Sequence, residues 1–212
     1  MRGNTRMRKS LLALTAAHLA LTLSSCGDTT RASSTHAGTG EREPTTAQAL
    51  AYVAAQHAGT PASAVRERDA AEEFTSGGVG TELHFGSNGE YDGDMLMVAV
   101  GKGLEPDLID CDAEMSHSLA GCVKTGEGTL MWEDEAPEED PGVVYVLVDK
   151  GETSALVFYA GPSITGDPRE LEMPISTDIL FAIANDPRVD VTTPAEIVDA
   201  GADLSYWETP AR

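Results

Sequence analysis

The chain predicts an α+β domain: an antiparallel β-sheet with flanking helices at the N- and C-terminal ends. Three features lead there. A helical pattern opens after Pro44, extended β-branched runs fill the stretch from Thr81 to Tyr159, and helical spacing returns after Ser176. Strands grouped in the middle with helices at both ends suit an antiparallel sheet that helices cover on one face.

The elements follow in order. Thr45 with Gln48 three residues on reads as a capping box, and Leu50, Ala51 and Ala54 supply an apolar stripe. Gly59 and Pro61 end that helix, and Thr60-Pro61 opens a second, Ala-rich and charged, running to Phe74. Ser76-Gly77-Gly78 reads as a break. From Thr81 the period becomes extended: Thr81–Phe85 alternates, and Asp94–Val100 is a strand bounded by Gly93 and Gly101. Ser87-Asn88-Gly89-Glu90 is turn chemistry between the two.

Cys122–Lys124 and Thr129–Glu133 read as short strands. Val143–Val148 and Ala155–Tyr159, rich in β-branched and aromatic residues, form a hairpin central to the core. Ser176 then caps a helix in which Ile179, Leu180 and Ile183 share a face, and Pro187 stops it. Thr193-Pro194-Ala195-Glu196 combines a capping box with a first-turn proline, and Gly201 fits the C′ position of that last helix.

The N-terminal region has a separate purpose. Arg2, Arg6, Arg8 and Lys9 precede an apolar run from Leu11 to Leu23, and Leu23-Ser24-Ser25-Cys26 follows. A basic head, a short apolar body and a small-residue cut site make an export signal. Leu11–Leu23 covers about 20 Å as a helix, too short for a hydrocarbon core of about 30 Å. Leu23-Ser24-Ser25-Cys26 resembles the lipobox of bacterial lipoprotein precursors. The resemblance implies cleavage before Cys26, diacylglyceryl and fatty acyl (palmitate) modification of its thiol, and anchoring at the extracytoplasmic face of the cell membrane. The absence of an Arg-Arg pair favours ordinary secretory export.

Residues 27–44, rich in Gly, Ser and Thr, read as a tether. The expected organisation is a lipoprotein signal peptide over 1–25, the lipidated Cys26 with its flexible tether over 26–44, and one extracytoplasmic domain over 45–212. The tether reaches about 20–25 Å, enough to lift a domain clear of lipid headgroups.

Charge limits the partners. All 35 acidic residues follow Cys26, against ten of the 14 basic ones, so the chain beyond the signal carries a formal charge of −25. That argues against nucleic acid, whose phosphates need Lys and Arg, and favours solubility or cationic partners. Cys111 and Cys122 are an even pair in an exported protein and read as a structural disulfide.

Catalytic patterns fail one by one. Asn88–Asp94 begins like an EF-hand loop, but Ala99 occupies position 12 where a bidentate Glu is required. Gly161-Pro162-Ser163-Ile164-Thr165-Gly166 is one residue too long for a nucleophile elbow. Neither Ser-x-x-Lys nor His-Glu-x-x-His occurs. The densest acidic cluster, Glu133, Asp134, Glu135, Glu138, Glu139 and Asp140, is a candidate weak cation site and more simply a solvated loop.

His57 falls near a helix end, where it can meet the last carbonyls; His84 and His117 are the catalytic-type histidines. Met115-x-His117, and Met95 with Met97 on one strand face, carry copper-type donors. Alternate strand methionines belong by default to the core, so no metal ligand and no cofactor beyond the lipid is expected.

From Gly161 to Val191, GDPRELEMPIS followed by NDPRVDVTT resembles secreted actinobacterial lipoproteins of no assigned activity. Asp167-Pro168 and Asp186-Pro187 favour chain reversal, with the aspartates accepting backbone hydrogen bonds and Arg169 and Arg188 meeting internal carboxylates. The functional expectation is a non-catalytic binding module of the cell envelope that meets an envelope protein or cationic partner. The rival class is a hydrolase built on paired carboxylates, which needs two acids facing each other in a cleft.

Overall fold

The structure, a computed structural model, describes residues 41–67, 76–86, 93–102, 111, 119–136 and 141–208. The elements are β1 (Arg42–Pro44), α1 (Ala47–Ala58), β2 (Ser63–Glu67), β3 (Ser76–Phe85), β4 (Asp94–Lys102), β5 (Gly121–Lys124) and β6 (Thr129–Glu133). They continue with β7 (Val143–Asp149), β8 (Ser154–Ala160), α2 (Thr177–Asn185), β9 (Thr192–Pro194) and α3 (Ala195–Ala202). This is the expected α+β class.

Seven strands form one antiparallel sheet in the order β2-β3-β4-β8-β7-β6-β5, and β1 and β9 form a small second sheet. The large sheet is two meanders joined where β8 pairs with β4, Leu96 opposite Tyr159 and Val98 opposite Val157. β8 is therefore the central strand, as its run of buried residues requires.

Alternation along the strands sorts the side chains onto two faces. The inner face carries Leu83, Leu96, Val98, Val146 and Val157, and packs on Leu50 and Val53 of α1 and Leu180 and Ile183 of α2. Full burial of each such side chain contributes about 1.5–3 kcal/mol. The outer face has its own smaller cluster of Met97, Ala99, Met131, Leu147 and Leu156. The Cys111–Cys122 disulfide, with Cα atoms 5.4 Å apart, ties Cys111 to this sheet through β5.

Several local expectations are corrected. Thr46, not Thr45, caps α1: its Oγ1 accepts from the Ala49 amide at 3.1 Å. The Thr45 amide instead donates to the Val191 carbonyl. The second helix expected from Thr60 is, over Ser63–Glu67, the edge strand β2. Alanine propensity is overridden there by pairing on both sides, with β3 on one and with the C-terminal segment on the other. The Ala64 amide donates to the Tyr206 carbonyl, and the Glu208 amide to that of Ala64. Residues 68–75 lie outside the described part, as do the Ser87–Glu90 turn and most of the EF-like stretch.

Ser76-Gly77-Gly78 does not break the chain; it lies inside β3 where the register with β4 shifts between Ser76 and Val79. Strand pairing also begins earlier than the expected domain start, since Arg42–Pro44 pairs with Thr192–Pro194. Thr193 belongs to that pairing and makes no capping bond to α3, whose N-cap is Pro194. Gly201 is not past the helix end. It lies buried in the last turn of α3, where a Cβ would meet the Ala49 amide nitrogen at 2.7 Å.

Candidate functional site

The described residues hold three polar constellations and one half-exposed aromatic face. The densest constellation centres on Asp186, at the end of α2. Its Oδ1 accepts from the Arg188 amide at 2.8 Å and from Arg188 Nε at 2.9 Å. Its Oδ2 accepts from an Arg188 terminal nitrogen at 2.6 Å and meets His57 Nε2 at 2.9 Å. Burial works to raise the Asp186 pKa, but hydrogen bonds from Arg188 and His57 outweigh it and hold the carboxyl at about 2.

Lys150 Nζ completes the knot by donating to the Asp186 and Val189 carbonyls at 2.9 and 2.6 Å. Its pKa is lowered by desolvation, against the pull of Asp190 and Asp186. Arg188 closes the turn on Asp186, while His57 and Lys150 reach it from other elements. The cluster pins α1, the β7–β8 turn and the chain after α2 together. His57 thus serves Asp186, not the helix carbonyls expected for it.

Asp167-Pro168-Arg169 repeats the same self-closed turn at the surface, with the Arg169 amide and Nε donating to Asp167 Oδ1 at 3.0 and 2.9 Å. Both Asp-Pro-Arg turns therefore have the aspartate bonding and the arginine pairing read from the sequence. Each arginine meets the aspartate two residues before it.

The second constellation is Tyr159 and Asp94. The fully buried Tyr159 donates its hydroxyl to Asp94 Oδ2 at 2.6 Å. Burial and the neighbouring carboxylate both push the phenol upward, so it stays protonated and acts as a fixed donor. Gly161 leaves room for that carboxylate: a Cβ there would lie 2.3 Å from Asp94 Oδ1.

The third is an open cleft of about 550 Å³ beside the β5–β6 turn, lined in part by Lys124, Glu127, Asp149 and Asn185. Asp149 Oδ1 accepts from the Gly151 amide at 2.7 Å and closes its own turn. Asn185 is taken up by the Glu127 and Phe181 carbonyls.

The outer sheet face differs from all of these because half-buried side chains, Tyr145 and Phe158 among them, adjoin a buried apolar cluster that includes Met97 and Met131. The register sets Glu82, Met97, Phe158, Tyr145 and Met131 in one row across β3, β4, β8, β7 and β6. The adjoining row holds His84, Met95, Ala160, Val143 and Glu133. Tyr145 and Phe158, both half-buried, meet edge to face with ring centroids 5.2 Å apart. The Tyr145 hydroxyl donates to Glu133 Oε1 at 3.1 Å. At the other end of the face His84 Nε2 lies 2.7 Å from Glu82 Oε1.

The residues singled out from the sequence are distributed unevenly. Cys111 and Cys122 are bonded. Of the acidic cluster, Glu133 ends β6 on the outer face, Asp134 is exposed, and Glu135 is half-buried with its amide on the Ile164 carbonyl. Glu138, Glu139 and Asp140 lie outside the described residues, as do Cys26, Met115 and His117. Among the described residues no three His, Cys, Asp or Glu side chains stand together as a metal-ligand group, and no helix is long and apolar enough to cross a membrane. Met97 is core, as expected, whereas among the described residues Met95 joins neither apolar cluster.

Sequence reasoning missed the face itself. Tyr145 sits in an otherwise aliphatic strand, and Glu133 looked like the start of a solvated loop. Their partnership depends on the β6–β7 register, and the alternation of Tyr145 with its neighbours was the only available signal. No protein-family model, no curated protein and no solved structure matches this chain.

Proposed function

We propose that this protein is a lipid-anchored, extracytoplasmic binding module of the cell envelope, held to the membrane through Cys26 and acting without catalysis. Its ligand in this reading is a Lys- or Arg-bearing segment of an envelope protein. The observation that carries the proposal is the half-exposed Tyr145–Phe158 pair with Glu133 hydrogen-bonded at its rim. Aromatic faces attract ammonium and guanidinium groups, and a carboxylate beside them adds charge pairing. A net charge of −25 beyond the signal steers cationic partners toward such a surface.

The supporting facts at the N-terminus are sequence facts: the basic head, the short apolar run and Leu23-Ser24-Ser25-Cys26. Labelling cells with a palmitate analogue tests the anchor. The wild-type chain takes the label and Cys26→Ser does not; equal labelling of both defeats it. Cross-linking in intact cells followed by mass spectrometry tests the module. A single enriched partner captured by the wild type and lost in a Tyr145→Leu/Glu133→Gln double variant supports the assignment. Capture undiminished in that variant, or no partner at several linker lengths, overturns it.

A further inference from the structure

The corner of the outer face away from Tyr145 carries a donor set that the partner reading does not use. We infer that His84, Met95 and Met97 form a site for a single soft monovalent metal ion, Cu(I), with Glu82 orienting the histidine. The argument begins with register. His84 is the direct cross-strand partner of Met95, and Glu82 that of Met97. Alternation places all four side chains on one face as a two-by-two grid. Direct partners in such a grid have Cβ atoms about 4.5–5.5 Å apart, and diagonal ones about 7–8 Å. An imidazole and two unbranched thioether chains converge easily over that span, because methionine has three rotatable bonds.

The hydrogen bond at His84 sets its chemistry. Glu82 Oε1 lies 2.7 Å from Nε2, and a carboxylate oxygen accepts, so Nε2 carries the proton. In the neutral ring Nδ1 then holds a lone pair, and among the described residues it has no partner. A carboxylate that holds the distal nitrogen of an imidazole is the usual outer support of a metal-bound histidine, since it fixes the tautomer and raises ligand basicity.

Met95 is the second indication. It is half-buried yet packs with neither apolar cluster of the described residues. Met97 belongs to the outer cluster and is 7% exposed, so its thioether would meet the ion from the apolar side of the site. Two thioethers with one imidazole form a soft donor set, which selects Cu(I) over zinc, calcium or magnesium. The one cysteine in the neighbouring rows, Cys122, is oxidised and supplies no thiolate. Binding is a reversible association with no electron transfer. It stands independently of partner capture, which is scored on Tyr145 and Glu133.

The test uses the full-length chain carrying Cys26→Ser, so that no free thiol competes, purified without thiol reductants. Cu(I) is titrated anaerobically against a colorimetric chelator. The site predicts that one equivalent is withheld from the chelator, and that Met95→Leu and His84→Gln each weaken binding at least tenfold. Leucine conserves the volume of methionine, and His84 lies near the sheet surface, so two separate variants guard against loss of fold. In a parallel titration with Ag(I), observed through the methyl groups of the seven methionines, the Met95 and Met97 signals shift. No withheld equivalent, unchanged affinity in both variants, or shifts confined to other methionines such as Met115 overturns the assignment.

Discussion

Gly201→Ala separates two physical effects of opposite sign. Gly201 is within the last turn of α3, buried where that helix crosses α1. Helix propensity alone says that alanine stabilises such a position by about 1 kcal/mol. The crossing says otherwise. A Cβ there would stand 2.7 Å from the Ala49 nitrogen and 2.8 Å from Ala49 Cα and the Gln48 carbonyl carbon. All three are backbone atoms of α1, so no side-chain rotation relieves the contact, and the helices must separate by the better part of an ångström. Overpacking of this kind costs about 1–3 kcal/mol, and the rigid neighbours place it at the upper end.

Subtracting the propensity gain leaves a net loss of about 2 kcal/mol, or roughly 4–8 °C in melting temperature for a domain of this size. Urea unfolding followed by far-UV circular dichroism measures it. Ala182→Gly, at an exposed position of α2, calibrates the propensity effect in the same protein and should cost about 1 kcal/mol. A Gly201→Ala variant more stable than the wild type would refute the close-crossing account.

Three further outcomes follow from the packing. Asp186 has a folded pKa of about 2, below the unfolded carboxyl near 3.9. Its contribution of about 2–3 kcal/mol is therefore present above pH 4 and disappears as pH falls toward 2. The stability gap between wild type and Asp186→Asn should be widest at neutral pH and close across that interval; a gap independent of pH contradicts the mechanism. Thr193 Oγ1 is buried without a hydrogen-bond partner among the described residues, so Thr193→Val should raise stability by about 1 kcal/mol in thermal melts, since an unsatisfied hydroxyl costs about 1–3 kcal/mol. A loss would mean the hydroxyl is bonded. Replacing Cys111 and Cys122 with alanine opens a loop of 11 residues and should cost about 3 kcal/mol, measured as a lower urea midpoint. An unchanged midpoint would show that the cross-link does not constrain the unfolded chain.

Local pattern alone determined much of this protein. Thr129–Glu133 was legible to the residue, and the Val143–Val148 and Ala155–Tyr159 runs to within one residue at either end, because a strand buried on both faces is apolar throughout. Ser176 as a helix start, the two Asp-Pro-Arg turns and the disulfide were legible for the same reason: each is settled by residues close in sequence or by the few cysteines available. Tertiary structure decided the rest. Ser63–Glu67 became a strand because β3 and the Tyr206–Glu208 segment satisfy its backbone from both sides. Gly201 is needed for a helix crossing 152 positions away in the chain, where local pattern suggested a terminus. The outer-face sites depend on register between strands, and pairing Tyr145 with Phe158 or His84 with Met95 requires knowing which strands are neighbours. Short-range preferences are encoded residue by residue, whereas neighbours across a sheet are chosen by the burial of the whole chain at once.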